Sequence, residues 1–291
     1  MKLKAISQCL GVALLACLPV AAQTNYNFTT IDYPNDTFTQ LLGINNQGVI
    51  AGYHGASVNK GFTYVLKTKT FNNENYPSSA QTQVIGINNS PAKTVGFFID
   101  NSGRTWGFEA RAGVFMKVNF PGGPFNQLLG QNNFGQAAGY FSTKADGSGP
   151  DHPYIYDENG GVFEVITIPG SASAQATGIN DASNVCGFFL DSAGTSHGWL
   201  LVQGSLTQLD FPESTGTAAL GLNNKGVVVG SYTDTANMTH GFTYVIATKT
   251  WQSVDDPNGV GATIVNGIND NGFLVGFYGT GTINSGFVAT P

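Results

Sequence analysis

Few residues in this chain are of types that do chemistry, and most of those recur. His152, His197 and His240 occupy one position in three successive sequence units, as His-Pro-Tyr, His-Gly-Trp and His-Gly-Phe. A histidine can act as a base or bind a metal. Equivalent positions on separate units lie too far apart to share an ion, so bonding to a neighbouring loop is the expected role. His54 adds nothing by spacing. Cys186 would need a nearby base to be a nucleophile. It stands where the other units carry Ala51, Val95, Ala138, Val229 and Val275, which reads as a small buried apolar residue. Asp100-Asn101-Ser102-Gly103 and Asp191-Ser192-Ala193-Gly194 faintly resemble calcium loops but lack the further carboxylates a hard cation needs. They are expected to be β-turns. Asp32, Asp210 and Asp256, beside prolines, are expected to cap or turn. No nucleophile elbow, zinc motif, phosphate loop or dinucleotide fingerprint occurs. The sequence therefore assigns no catalytic residue, no metal and no cofactor. A carboxylate pair drawn from separate units would leave no motif.

The elements that must position these residues form a repeat. A Gly-Ile-Asn-like triplet begins at Gly43, Gly86, Gly130, Gly178, Gly221 and Gly267. Prolines keep the same rhythm at Pro34, Pro77, Pro121, Pro169, Pro212 and Pro257, and a Gly-aromatic pair follows it at Gly61-Phe62, Gly107-Phe108, Gly198-Trp199, Gly241-Phe242 and Gly286-Phe287. Each unit divides into four short strands, a to d, separated by turn signals. In the first unit these are 39–45, 49–53, 61–66 and 70–76. Asn45, Asn88, Asn132, Asn180, Asn223 and Asn269 are expected to shape the a–b turns, with glycine supplying positive φ. The spacing predicts an all-β protein, a six-bladed β-propeller with four-stranded blades near 39–76, 82–120, 126–168, 174–211, 217–256 and 262–290. Residues 26–33 align with strand d and supply the strand the last unit lacks. The ring is thus expected to close through the N-terminal strand, leaving no open edge.

Residues 1–22 read as a signal peptide: a basic start at Lys2 and Lys4, an apolar run from Leu10 to Val20, and small residues at Ala21-Ala22. The propeller domain is then 23–291. The alternative is a lipoprotein signal with Cys17 as the anchor. The expected location is secreted, extracellular or periplasmic, with no transmembrane segment. Cys9 and Cys17 fall in the signal, so Cys186 has no intrachain disulfide partner. The formal net charge is −6, and losing Lys2 and Lys4 makes it more negative. Such a surface repels phosphate backbones, which excludes nucleic acid as a partner.

Several stretches resemble the HAF-type extracellular repeat of bacterial secreted proteins. Gly43-Ile44-Asn45 with Gly48–Tyr53, and Gly221–Asn223 with Gly226–Tyr232, match its first elements. His240-Gly241-Phe242 and His197-Gly198-Trp199 stand in place of His-Ala-Phe, with Gly for Ala, and Asp32-Tyr33-Pro34 and Asp210-Phe211-Pro212 match its last element. The resemblance covers about 25–291. It implies export and a propeller-like fold, and it carries no catalytic residue across.

Residues present in every unit maintain the blade, so recognition is expected where the pattern breaks. The b–c loops vary most, above all 142–152 and 233–240. Arg104, Trp106, Asp146, His152, His197 and His240 are the expected ligand-binding residues on that face. Their polar and aromatic character suits carbohydrate or an extracellular protein. The function expected is a non-catalytic binding module, acting as a monomer. The alternatives are a polysaccharide hydrolase or lyase with its site on the b–c face, and a structural protein of the matrix or envelope.

Overall fold

The structure is a computed structural model that describes residues 24–89 and 92–291. The expected signal peptide, residues 1–22 with Cys9 and Cys17, lies outside the described residues. All regular structure is β. After β1 (Asn27–Ile31), four antiparallel four-stranded blades follow in chain order. The first is β2 (Thr39–Ile44), β3 (Val49–His54), β4 (Lys60–Val65) and β5 (Thr70–Asn73). The second is β6 (Gln81–Ile87), β7 (Thr94–Ile99), β8 (Thr105–Arg111) and β9 (Val114–Lys117). The third is β10 (Phe125–Gln131), β11 (Gln136–Ser142), β12 (Asp151–Asp157) and β13 (Val162–Val165). The fourth is β14 (Ser173–Ile179), β15 (Val185–Leu190), β16 (Ser196–Val202) and β17 (Ser205–Leu209).

The remaining strands are β18 (Gly216–Leu222), β19 (Val227–Thr233), β20 (Thr239–Val245), β21 (Thr250–Val254), β22 (Ala262–Ile268), β23 (Leu274–Gly279) and β24 (Asn284–Thr290). With β1 they make one eight-stranded sheet rather than two separate blades. Two antiparallel runs, β18–β21 and β22–β23–β24–β1, are joined by a single parallel pairing of Thr239 with Ala262. The Thr239 N–H reaches the Gly261 carbonyl at 3.1 Å, which brings the second run into the ladder of the first. The N-terminal strand β1 pairs with β24 along five residues, Asn27 opposite Thr290 through Ile31 opposite Gly286. This is a propeller arrangement of four-stranded blades.

Each first strand alternates between a blade core and the molecular axis, and each carries one bulge. The register shifts between Leu41 and Gly43, Val84 and Gly86, Leu128 and Gly130, Ala176 and Gly178, Ala219 and Gly221, and Val265 and Gly267. A bulge re-aims the chain, and here it turns a glycine toward the adjacent unit. A Cβ on Gly130 would lie 2.8 Å from the Thr177 carbonyl and 2.9 Å from the Gly178 Cα. Comparable backbone approaches link Gly43 to Gly86, Gly178 to Gly221 and Gly267 to Gly43.

The core is a set of aromatic layers between units. Phe62, Phe108, Tyr154, Trp199, Phe242 and Phe287 take equivalent positions and are fully buried. The size changes are compensated locally. Thr39, Thr82, Thr217 and Thr263 each accept the N–H of the residue before a proline through Oγ1. Opposite the larger Trp199 the position is Ala174, in the same cluster. Beside Tyr154 it is Asn126, whose Oδ1 accepts the tyrosine hydroxyl at 2.8 Å.

The outer strands end earlier than the sequence suggests: β5 stops at Asn73, not Tyr76. The reason is a side chain that takes over from the ladder. Asn75 Oδ1 accepts the Gly61 N–H at 3.0 Å, and Asn119 does the same for Gly107. Cys186 is buried, and burial pushes its thiol up to about 12, so it stays protonated and inert.

Candidate binding face and axial funnel

The strand order fixes two faces. The b–c and d–a loops form the upper face, and the a–b and c–d turns form the lower face. On the upper face a funnel of about 290 Å³ opens on the axis, lined by the first strands. Gln40, Gln83, Gln127 and Gln175 sit at one level near its mouth, at the start of β2, β6, β10 and β14. Below them come Leu42, Ile85, Leu129 and Leu220, and Tyr53, Phe97 and Phe188 reach the wall from the second strands.

Three of the glutamines are held from behind in different senses. The Tyr53 hydroxyl donates to Gln40 Oε1 at 2.5 Å, so that amide presents its NH2. Gln83 Nε2 donates to Asn59 Oδ1, and Gln175 Nε2 donates to Asp151 Oδ2, both at 2.7 Å. Those two present their carbonyls. Gln127 has no side-chain partner among the described residues. The mouth therefore offers donors and acceptors together, above an aliphatic wall. No Asp, Glu, Lys, Arg or His lines the funnel. Its one ionisable group is Tyr53, pushed up to about 12 by burial and so neutral at ordinary pH.

The six residues expected from the sequence lie on or beside this face but do not line the funnel. Arg104 and Trp106 are together: the guanidinium is 6.0 Å from the indole centroid. The indole is already engaged, with Lys117 Nζ 3.1 Å over its ring and its Nε1–H donated to Asp100 Oδ2 at 2.8 Å. Asp100 Oδ1 also accepts the Ser102 and Arg104 N–H groups, which answers the calcium-loop resemblance with a closed turn. Asp146 caps its own turn by accepting the Ser148 N–H at 3.0 Å. His152 stacks on Phe141 with ring centroids 5.0 Å apart; no side-chain hydrogen bond fixes it among the described residues.

His197 and His240 each lie between two carboxylates of their own unit. His197 Nδ1 is 3.0 Å from Asp210 and Nε2 is 3.6 Å from Asp191. His240 Nδ1 is 3.1 Å from Asp255 and Nε2 is 3.3 Å from Asp234. Burial works against charge on His240, but the hydrogen bonds and charges of Asp255 and Asp234 outweigh it and raise its pKa. Opposite edges of one ring cannot chelate one ion, and no group of three metal-ligating acid, His or Cys residues exists among the described residues. The histidine partners are thus the acidic ends of the same unit's turns.

Sequence reasoning missed the funnel glutamines, and it missed four aromatic stacks on the upper face. Tyr33 stacks on His54 at 3.5 Å, Tyr76 on Phe98 at 3.7 Å, Phe120 on Phe141 at 3.9 Å and Phe211 on Tyr232 at 3.7 Å. The glutamines had a signal, since the residue three before the first glycine is Gln in four of six units. The stacks join residues far apart in each unit and had none.

No family model matches the sequence, and no curated protein matches it. Solved structures do. The chain is similar to a putative TolB from Agrobacterium tumefaciens at TM-score 0.62 and 11% identity, covering 87% of this chain and 90% of that one. It is similar to the Aleuria aurantia lectin, described as a six-bladed β-propeller with a novel fucose recognition mode. That match has TM-score 0.52 and 8% identity and covers 91% and 96% of the two chains. An oligogalacturonate lyase in complex with manganese matches at TM-score 0.51 and 11% identity, over 82% and 73%. The chain spans 63% of the length of TolB from Acinetobacter baumannii. Likeness at such low identity shows the propeller fold alone. No helix among the described residues is long and apolar enough to cross a membrane.

Proposed function

We propose that the chain is an exported, non-catalytic binding module of the HAF-repeat type, which takes a neutral, hydroxyl-bearing ligand in the axial funnel. The observation that carries this is the funnel's chemistry: amides facing both ways over aliphatic walls, with no acid or base able to transfer a proton near neutral pH. Amides that present both NH2 and carbonyl groups suit hydroxyls, which donate and accept. A cell-surface glycan is the ligand class favoured, ahead of an exported protein. The likeness to a fucose-recognising lectin supports the reading.

The module is a closed six-bladed ring in this reading, with the eight-stranded sheet counted as two blades fused at Thr239. Support comes from a hydrogen-bond cycle of six members. Each Asn Nδ2 donates to the next unit's Asn carbonyl, from Asn45 to Asn88, Asn132, Asn180, Asn223 and Asn269, and from Asn269 back to Asn45 at 3.0 Å. A polysaccharide hydrolase or lyase is the second reading. It draws on the Asp191–His197–Asp210 and Asp234–His240–Asp255 groups of the upper face.

A glycan array followed by titration calorimetry of each hit tests the proposal. Gln83→Ala and Gln127→Ala should each weaken binding about tenfold, the size of one lost hydrogen bond. Turnover of chromogenic polysaccharides, or affinity unchanged in both variants, would sink it.

A further inference from the structure

On the lower face, at the outer edge between the second and third blades, lies a cavity of about 420 Å³. Ala110, Ala112, Val114 and Met116 give it aliphatic walls, and Glu109, Glu158, Lys93 and Arg111 also line it. Glu109 is 4% exposed. In the other units its position is Thr63, Ile155, Leu200, Thr243 or Val288, read from the pairing register of the second and third strands. Across the seam stands Gln131, where other units have Ile44, Ile87, Ile179, Leu222 and Ile268. Among the described residues, only here is the seam polar on both sides.

The polarity is incompletely matched. Gln131 Nε2 donates to Glu109 Oε1 at a long 3.4 Å, while Gln131 Oε1 is buried with no partner. Lys93 makes its ion pair with Glu158, not with Glu109. Arg111 is exposed and pairs with neither glutamate among the described residues. Of the two carboxylates, only Glu158 thus has a bound ammonium. A buried carboxylate without its own cation is costly, and an aliphatic cavity above it suits a cation carried on an alkyl stem.

We propose that this cavity binds an aliphatic ammonium group, paired with Glu109 and with its alkyl chain against Ala112, Val114 and Met116. The site is independent of the funnel and lies on the opposite face. The state of Glu109 supports it. Burial first, then the Glu158 charge, push its carboxyl up to about 7, with Lys93 opposing. Tyr156 also feels both glutamates: burial first, then their charges, raise its pKa. A bound ammonium would hold Glu109 ionised, so affinity should rise with pH across that value.

The test is titration calorimetry of the described chain with n-butylammonium, 1-butanol and N-acetyl-lysine-N-methylamide, at about pH 6 and about pH 8. Butylammonium should bind saturably, about tenfold more tightly at the higher pH, and butanol should not. Tighter binding of the lysine derivative assigns the site to a partner's lysine; preference for butylammonium assigns it to a free amine. Glu109→Gln should cost about tenfold or more. Met116→Arg, on an exposed outer strand, should block the site by placing a guanidinium at its mouth. The folded state of Glu109→Gln has its own readout. With its pKa raised on folding, Glu109 stabilises fully below about 4.5 and loses that contribution as pH rises through about 7. Glu109→Gln should therefore melt higher than the parent near pH 8. Equal binding of butanol, no saturable binding of either amine, or unchanged binding in both variants would overturn the proposal.

Discussion

The two faces of this propeller are made from the same repeat and use it differently. On the lower face each a–b turn is bound to the next. Asn180 Oδ1 accepts the Ala182 and Asn184 N–H groups of its own turn while its Nδ2 reaches Asn223. The following residues form a second cycle. The N–H of Asn46 goes to Asn89, Asn89 to Asn133, Asn133 to Asp181, Asp181 to Asn224, Asn224 to Asp270 and Asp270 back to Asn46, at 2.8–2.9 Å. On the upper face some loop ends bond within their own unit, as Asp234 does with His240, and others to the next unit, as Asn59 does with Gln83, without a repeated cycle among the described residues. The funnel amides are held from behind and point forward. The lower face uses its hydrogen-bonding capacity in linking one turn to the next; the upper face leaves some of its own unused.

That contrast can be broken most severely at the axis. Gly130→Ala must push Cβ into backbone on the adjacent unit, which cannot yield as a flexible side chain would. We expect a loss of about 3 kcal/mol in urea unfolding; a loss under about 0.5 kcal/mol would mean the packing of adjacent units is looser than its geometry. Next in size is Asn180→Ala, which removes one buried and two part-buried hydrogen bonds and should cost about 2 kcal/mol. Gln127→Ala on the upper face should change stability by less than about 0.5 kcal/mol while weakening ligand. If the two variants destabilise equally, the division of labour between the faces fails.

The smallest effect sharpens the upper face. Asp234→Asn keeps the Oδ1 acceptor for the Ala236 and Met238 N–H groups and removes the charge beside His240. The His240 pKa, now raised, should fall toward the ordinary histidine value in an NMR titration. Its raised pKa means stabilisation is complete below the unfolded value of about 6.5 and fades as pH passes the folded value. The variant should narrow that window; an unmoved titration would place the controlling charge on Asp255 alone.

Much of the architecture was legible because it repeats. Gly-Ile-Asn triplets and prolines located the first strands and the d–a turns, and the Asp100 and Asp191 turns read correctly as turns. The outer strand ends were misplaced because Asn75 and Asn119 replace ladder bonds with side-chain bonds, and an extended segment looks the same either way in sequence. Ala174, where other units carry threonine, packs in one cluster with the larger Trp199, a pairing between distant positions that the repeat does not spell out.

The repeat by itself determined the class of fold, the turn asparagines and the buried nature of Cys186, because local turn chemistry and alternation are written within each unit. Tertiary structure alone decided that Asn269 meets Asn45, that four glutamines converge on one axis, and that Glu109 faces Gln131 across a seam. Those pairs lie in different units, and only packing the units around an axis brings them within hydrogen-bond range.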